Sequence, residues 1–271
     1  MTASNQNLLD SLFHALAAAP GRSLLLLDYD GTLSGFRVDR FQARPWAGVR
    51  ELLARIQADG RTRMAIVTGR PPEEIQPMLQ LPTPLEVWGL HGAERLTPDG
   101  RRQLEALPAD SRRQLDQIRV ELQRDPLGGL YEDKANAAVL HWRGLSAQRA
   151  SQVRERALAR LEPLAHLEGL RLLPFEGGVE LRGGREKGGA IQAILDEEAT
   201  AGASAAISPV VYMGDDLTDE AAFRAVNAST RPHLSVLVRS QPRQTGAALW
   251  LRPPAELRQF LARWAATLEA C

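Results

Sequence analysis

Residues 24–33, LLLLDYDGTL, constrain the fold of this chain more than any other stretch. Four consecutive leucines predict a strand that is buried on both faces, which is typical of parallel sheets covered by helices. Two acids, Asp28 and Asp30, follow at the carboxyl end of the strand, where parallel sheets bind ligands. Residues two apart in an extended chain point to the same side, so both acids can approach one small ligand. The alternative is an ordinary strand that ends in a loop rich in aspartate.

Predicted helices and strands alternate in the first and last thirds of the chain. Helices are predicted over residues 5–19, from Pro45, from Pro71, over 190–198 and from Pro254. Strands are predicted over residues 24–27, 64–67, 85–90, 210–213 and 234–238. This alternation predicts an α/β fold built on a Rossmann-like, doubly wound parallel sheet.

The alternation breaks after about residue 100. Helices are predicted over 109–123 and 146–162, and strands over 130–143 and 170–182, the second pair turning at residues 176–178. We therefore expect a core made of residues 1–103 and 184–271, with an inserted α+β cap over residues 104–183. Insertions over the carboxyl edge of a sheet commonly serve as lids.

Composition narrows the expected partners. Lys plus Arg and Asp plus Glu both number 33, so the net charge is zero, and neither nucleic acid nor a membrane surface is an expected partner. The only cysteine is Cys271, which excludes a disulfide framework. We find no basic leader and no apolar run near the roughly 18 residues that span a bilayer. We expect a cytoplasmic monomer.

Four polar clusters follow predicted strands or open a predicted helix. They are Asp28 with Asp30, Thr68, Lys187, and Asp215 with Asp216 and Asp219. Phosphoryl transfer needs an in-line nucleophile, a metal that neutralises charge, donors for the equatorial oxygens and an acid for the departing oxygen. Each cluster fits one of these roles, and the sequence therefore predicts a phosphoryl-transfer site.

The roles can be assigned residue by residue. Asp28 would attack phosphorus and form an aspartyl phosphate, and Asp30 would protonate the leaving alcohol and later deprotonate a water. Thr68 would supply a hydroxyl with nearby backbone amides, and Lys187 a compact positive charge for the phosphate. Lys187 and Lys134 are the only lysines of a chain otherwise rich in arginine, and the two cations differ in geometry.

A hard, oxygen-binding cation is expected between the acids, because carboxylates this close repel one another. Asp215 would hold Mg²⁺ together with Asp28 and the backbone carbonyl of Asp30. Asp219 would orient a metal-bound water. Glu220 is interpreted as a cap of the following helix.

The stretches DYDGT, VTGR, the isolated Lys187 in EKGGA and GDDLTDE resemble, in this order, the four motifs of the haloacid dehalogenase superfamily of phosphatases. Within that superfamily, the GDDxTDE form, GLHGAE at residues 89–94 and the inserted YEDK, HWR and GGVELR stretches are similar to trehalose-6-phosphate phosphatases. The usual Ser of the second motif is Thr68 here, which keeps the hydroxyl.

The resemblance implies a Mg²⁺-dependent hydrolase that converts trehalose 6-phosphate to trehalose and phosphate, with the inserted cap as a lid that reads the sugar. A functional link to a trehalose-phosphate synthase is also expected. The implied substrate-binding residues are Gly69, Arg70 and His91 in the core, and Glu132, Lys134, Arg143 and Glu180 in the cap.

Several alternatives stay open at this stage. Glu132 and Lys134 also fit the exposed face of a strand, and His91 fits a loop histidine bonded to the backbone. Other capped phosphatases of sucrose or mannosyl phosphates, a phosphosugar mutase and a non-catalytic sugar-phosphate sensor are rival functions. A sensor needs only some of these groups, so four intact residues argue against it: Asp28, Asp30, Lys187 and Asp215.

Overall fold

The computed structural model describes residues 3–19, 21–37, 39–125, 130–134, 136–175, 177–200 and 208–270. Cys271 and residue 176, which belongs to the turn predicted over 176–178, lie outside the described residues. The chain divides into two compact units, one formed by Met1–Leu104 with Glu186–Cys271 and the other by Glu105–Arg185. These divisions lie one and two residues from those expected from the sequence.

Helices and strands alternate in the first part of the first unit, and the alternation resumes after the second unit. The helices are α1 (Ala3–Ala17), α2 (Val49–Asp59), α3 (Ile75–Leu79), α4 (Ala109–Arg124), α5 (Ala147–Leu161), α6 (Lys187–Thr200), α7 (Glu220–Asn227) and α8 (Ala255–Glu269). The strands are β1 (Ser23–Leu27), β2 (Thr62–Val67), β3 (Glu86–Gly89), β4 (Glu94–Leu96), β5 (Arg102–Leu104), β6 (Tyr131–Lys134), β7 (Ala137–His141), β8 (Leu170–Phe175), β9 (Gly178–Gly183), β10 (Val210–Gly214), β11 (His233–Val238) and β12 (Leu249–Leu251). Within the described part of the chain, every helix is too short or too polar to cross a membrane.

The first unit contains an eight-stranded sheet in the order β12-β11-β10-β1-β2-β3-β4-β5. The strands from β12 to β3 are parallel, and β4 and β5 add an antiparallel edge. The chain steps from β1 to β2 on one side and returns through β10 on the other side. The predicted doubly wound parallel sheet is therefore confirmed, with an antiparallel edge that the sequence did not indicate.

The leucine run of β1 explains why helices cover both faces of this sheet. Leu25 and Leu27 pack in a core with residues of α1, α2, α3 and α8, whereas Leu24 and Leu26 pack on the other face with residues of α6 and α7. All four side chains are fully buried. Alternation of side chains across a strand sends successive leucines to opposite faces, so an unbroken apolar run requires two covered faces.

Several helices begin at residues other than those predicted, among them those expected from Pro45 and over 190–198. The helix expected from Pro45 begins at Val49, because Gly48 before it adopts a left-handed φ of 84°, while Pro45 pairs in a bridge with Ser34. The helix expected over 190–198 begins at Lys187. The earlier start matters for the site, since Lys187 becomes the first residue of α6.

The second unit is an antiparallel sheet in the order β6-β7-β9-β8 with α4 and α5 against one face. Leu140 and Val179, paired across β7 and β9, belong to the core shared with these helices. Glu132 and Glu180 both pair with Val139, which directly precedes Leu140 in β7. Successive residues of a strand point to opposite faces, so both glutamates lie on the face away from the helices. This unit therefore has the α+β architecture expected for the inserted block.

Candidate active site

The strands β10, β1 and β2 lie side by side and run in the same direction, so their carboxyl ends meet at one edge of the sheet. Asp28 follows β1, Thr68 follows β2 and Asp215 follows β10. Parallel sheets bind ligands at this edge, where the chain direction of the connections reverses. The candidate active site is therefore built from the three loops that the sequence motifs had indicated.

Lys187 joins two of the acids. Its Nζ donates hydrogen bonds to Oδ1 of Asp28 and to Oδ1 of Asp219, each over 2.7 Å. The lysine is 3% exposed and Asp219 is fully buried. Burial lowers the pKa of Lys187, but the carboxylates of Asp219 and Asp28 outweigh burial and raise that pKa, so the ammonium keeps its charge.

Asp219 is held by four hydrogen bonds. Its Oδ1 accepts from Lys187 and from the hydroxyl of Tyr212 at 2.6 Å, and its Oδ2 accepts from the backbone amides of Asp215 and Asp216, both at 2.9 Å. A carboxylate offers about four lone-pair sites, and all four are used. Asp219 thus fixes Lys187 and the turn after β10, and the predicted water-orienting role would require one of these bonds to break.

The residues at this edge fit a divalent cation. Carboxylate oxygens of Asp28, Asp215 and Asp219 lie within 4.8 Å of one another. Three carboxylates with one ammonium leave two negative charges, which a divalent cation balances, and oxygen atoms are the ligands that Mg²⁺ prefers. Asp30 is predicted to contribute its backbone carbonyl to this site. Its side chain is not one of the three carboxylates and bonds to Arg70 instead.

Two of the acids have raised pKa values. Burial is the main cause for both, and it raises the pKa of Asp28 to about 7 and that of Asp215 to about 9. For Asp28, Lys187 opposes burial and Asp219 adds to it. For Asp215, the charges of Asp28 and Asp219 raise the pKa further. Both carboxyl groups therefore bind protons at higher pH than a free aspartate does, and a bound cation would compete with those protons.

Asp30 is held by Arg70, the last residue of the VTGR stretch. Nε and Nη2 of Arg70 donate to the two carboxylate oxygens of Asp30, each over 2.6 Å. This parallel pair of bonds is the geometry in which guanidinium and carboxylate bind best. Substrate binding by Arg70 stays a prediction.

The turn after β2, residues 68–70, packs against His91 in the loop after β3. The backbone amide of Arg70 donates to Oγ1 of Thr68 over 3.2 Å, which leaves the hydroxyl proton of Thr68 for another acceptor. The backbone amide of His91 donates to the carbonyl of Thr68 over 2.8 Å. A Cβ on Gly69 would lie 2.6 Å from Nε2 of His91, so a larger residue there would displace the His91 ring. The substrate contacts expected of Gly69 and His91 stay predictions.

Charged side chains of opposite sign pair on the polar face of the second unit. His141 Nε2 lies 2.8 Å from a carboxylate oxygen of Glu132. Glu180 accepts from Nε and Nη2 of Arg182 over 3.1 and 2.7 Å, and Nζ of Lys134 lies 3.8 Å from Glu180. Burial raises the pKa of Glu180, but Arg182 outweighs burial and holds that pKa below its usual value.

Arg143 lies in the same unit and is exposed. Its side chain lies against the backbone of Gly177, where an added Cβ would be 3.0 Å from Nε of Arg143. The structure thus brings Glu132, Lys134 and Glu180 to one face of one sheet. Their roles in sugar binding, like that of Arg143, stay predictions.

Sequence reasoning missed a set of residues that support the site. They are Tyr212, His141, Arg182, Arg239 and Arg243. Arg239 and Arg243 donate to the backbone carbonyls of Asp215 and Asp216 over 3.2 and 2.8 Å. Arginine is so common in this chain that composition could not single out the three arginines of this set.

Glu220 differs from its interpretation as a helix cap. Its carboxylate accepts from the hydroxyl of Thr245 and the backbone amide of Gly246, over 2.7 and 2.9 Å, and pairs with Arg243 over 2.7 Å. It therefore connects the start of α7 to the loop between β11 and β12.

The fold is the class known from haloacid dehalogenase-like hydrolases. One such hydrolase from Bacteroides thetaiotaomicron matches with a TM-score of 0.61 at 15% identity, over 89% of this chain and 99% of that chain. A trehalose-6-phosphate phosphatase of Aspergillus fumigatus matches with a TM-score of 0.69 at 24% identity, over 95% of this chain and 97% of that chain. At these identities the likeness extends to the fold alone.

The family is more specific than the class. The trehalose-phosphatase family model matches residues 26–251, and the chain belongs to this family. A trehalose-phosphate phosphatase of Mycolicibacterium paratuberculosis is 31% identical over 257 residues, which cover 90% of this chain. The chain spans 62% of the length of the curated relatives that it matches first.

Gly31 offers a test of the acidic group. A Cβ on Gly31 would overlap the carboxylate of Asp215, and the residue has a φ of 81°. Gly60 has nearly the same φ, 80°, with open space around a Cβ. We expect both Gly31→Ala and Gly60→Ala to lose about 1–2 kcal/mol of stability, but only Gly31→Ala to weaken Mg²⁺ binding, by roughly 10-fold or more. Titration calorimetry with Mg²⁺ checks this, and equal affinities would contradict the placement of Asp215.

The raised pKa values predict a pH dependence. An acid whose folded pKa exceeds its unfolded value of 3.8 destabilises the fold as pH rises through the folded pKa. Without metal, the free energy of unfolding should therefore fall between about pH 4 and 9 more steeply in the wild type than in Asp215→Asn. Added Mg²⁺ should stabilise more at the higher pH. Denaturation curves with and without Mg²⁺ measure this, and parallel pH profiles for the two proteins would refute it.

Proposed function

We propose that this chain is a Mg²⁺-dependent phosphatase that hydrolyses trehalose 6-phosphate to trehalose and phosphate through an aspartyl phosphate on Asp28. The observation that carries the proposal is the buried Lys187 ammonium, which bonds to Asp28 on one side and to Asp219 on the other, next to Asp215. Membership of the trehalose-phosphatase family supports the choice of substrate.

The first step is attack by Asp28. Because Oδ1 is bonded to Lys187, the other carboxylate oxygen forms the bond to phosphorus while the bond from phosphorus to the sugar oxygen breaks. Asp30 gives its proton to that leaving oxygen. Lys187, the hydroxyl of Thr68 and nearby backbone amides stabilise the charge on the phosphoryl oxygens.

The second step frees the enzyme. A water attacks phosphorus, its proton passes to Asp30, and the bond between Asp28 and phosphorus breaks to release phosphate. Asp28, Asp215 and the backbone carbonyl of Asp30 would hold Mg²⁺, which would supply positive charge for the transferring group. Proton transfer balances over the two steps, because Asp30 donates in the first and accepts in the second.

The sugar would be recognised by the second unit. Glu132, Lys134 and Glu180 share one face of its sheet, and charged groups make strong, directional hydrogen bonds to sugar hydroxyls. Arg143 from the same unit, and Gly69 and His91 from the first unit, are further proposed substrate contacts. The core motifs address only the phosphate and the leaving oxygen, so substrate choice must come from elsewhere.

We further infer a cytoplasmic monomer with a functional link to a trehalose-phosphate synthase, which would supply the substrate. The balanced charge supports a small-molecule partner over nucleic acid or a membrane.

A panel of sugar phosphates tests the proposed function. Phosphate release should be fastest from trehalose 6-phosphate, slower from sucrose and mannosyl phosphates, and abolished by EDTA. Asp28→Asn keeps the shape of the side chain but removes the nucleophile, and it should lose all turnover with an unchanged circular dichroism spectrum. Release that persists in excess EDTA would exclude the mechanism, and binding without any release would favour the sensor.

The role of the second unit is tested with Glu132→Gln. Its side chain is 42% exposed, so the substitution should not affect folding. We expect kcat/KM for trehalose 6-phosphate to fall by at least about 10-fold, the scale of one lost hydrogen bond to a charged group, and to stay constant for p-nitrophenyl phosphate. Glu121→Gln, an exposed change on α4, is the matched control. Equal losses on both substrates would mean that Glu132 is structural.

A further inference from the structure

The carboxylate of Asp30 lies apart from the other acids, although it follows Asp28 by two residues. The group within 4.8 Å consists of Asp28, Asp215 and Asp219. Both oxygens of Asp30 instead accept from Arg70, over 2.6 Å each. The forked pair of bonds from Arg70 therefore fixes where the carboxylate of Asp30 lies.

Arg70 is well suited to fix that position. Its side chain is 8% exposed, whereas that of Asp30 is 28% exposed. The third guanidinium nitrogen, Nη1, donates to Glu74 over 3.4 Å, and the guanidinium carbon lies 5.8 Å from the centre of the buried Tyr29 ring. Three of the five N–H donors of the guanidinium thus bond to protein carboxylates, and Asp30 is the more exposed partner.

The bonding leaves Asp30 able to transfer a proton. Each carboxylate oxygen has two lone-pair sites, and the parallel pair of bonds from Arg70 uses one on each oxygen. The remaining sites lie on a partly exposed carboxylate that a leaving oxygen or a water can reach. A carboxylate drawn into the acidic group would lose this capacity to a metal ion or to Lys187.

We propose that Arg70 is a positioning residue, which holds the carboxylate of Asp30 out of the metal-binding group and in place for proton transfer. This inference rests on the proposed function and assigns Arg70 a task different from the substrate binding expected from the sequence. Direct binding of a phosphate would best use the forked pair of donors Nε and Nη2, and in Arg70 that pair already bonds to Asp30.

A double-mutant cycle separates these two roles. Arg70→Met should lower kcat on trehalose 6-phosphate by roughly 10²-fold, the usual scale of general acid–base catalysis. The double variant Arg70→Met/Asp30→Asn should be no slower than Asp30→Asn alone, because Arg70 acts through Asp30. A further loss in the double variant, multiplying the two single effects, or a rise in KM as the main effect, would overturn the proposal in favour of direct substrate binding.

The second readout is the first turnover on p-nitrophenyl phosphate, whose leaving group departs without a proton. In both Arg70→Met and Asp30→Asn, the burst of nitrophenolate should keep a rate within about threefold of wild type, and the steady state should be slow because water attack still needs Asp30. A slow burst in Arg70→Met would overturn the proposal, since a structural or phosphate-binding role predicts it.

Two more variants complete the design. Arg40→Met removes another partner of Glu74, over 2.7 Å, without touching Asp30, and should behave as wild type in both assays. Arg70→Lys keeps the charge but not the forked pair of bonds, so it should fold and should show the same pattern with a smaller loss. Wild-type protein that releases phosphate from no sugar phosphate would refute the proposed function, whereas an active wild type with additive losses would refute only the role of Arg70.

Discussion

The Lys187 ammonium, bonded to two buried carboxylates, is the interaction on which the site depends. Burying ions costs several kcal/mol each, and the cost is offset only when their hydrogen bonds are satisfied. Asp219 meets this condition with four donors, including the hydroxyl of Tyr212. The sheet supplies the positions, because β1 and β10 end side by side and α6 begins at Lys187 itself.

The two units arrange their charged side chains differently. In the first unit, burial and the charges of neighbouring acids raise the pKa values of Asp28 and Asp215, so a bound cation would compete with protons there. The second unit spreads paired charges over one sheet face, where Arg182 keeps Glu180 ionised. Under the proposed function, the first arrangement would bind the phosphoryl group and the second would bind sugar hydroxyls.

Much of this architecture could be predicted because local patterns encode it. The leucine run fixed β1 and its two covered faces, and the aspartates, Thr68 and Lys187 follow strands or open a helix as expected. The strands β4, β5 and β12 could not be predicted, since each is three residues long and depends on its neighbours for hydrogen bonds. The partner of Asp30 was also hidden, because Arg70 lies 40 residues away among many arginines.

The nucleophilic role of Asp28 is the central claim, and trapping the phosphorylated protein tests it most directly. Asp30→Asn, exposed briefly to p-nitrophenyl phosphate and Mg²⁺ and quenched in acid, should retain one phosphoryl group, since the water step lacks its base. Borohydride reduces an acyl phosphate to an alcohol, so peptide mass spectrometry should find homoserine at position 28. Homoserine at another aspartate, or a phosphoryl group on a residue other than Asp28, would contradict the account.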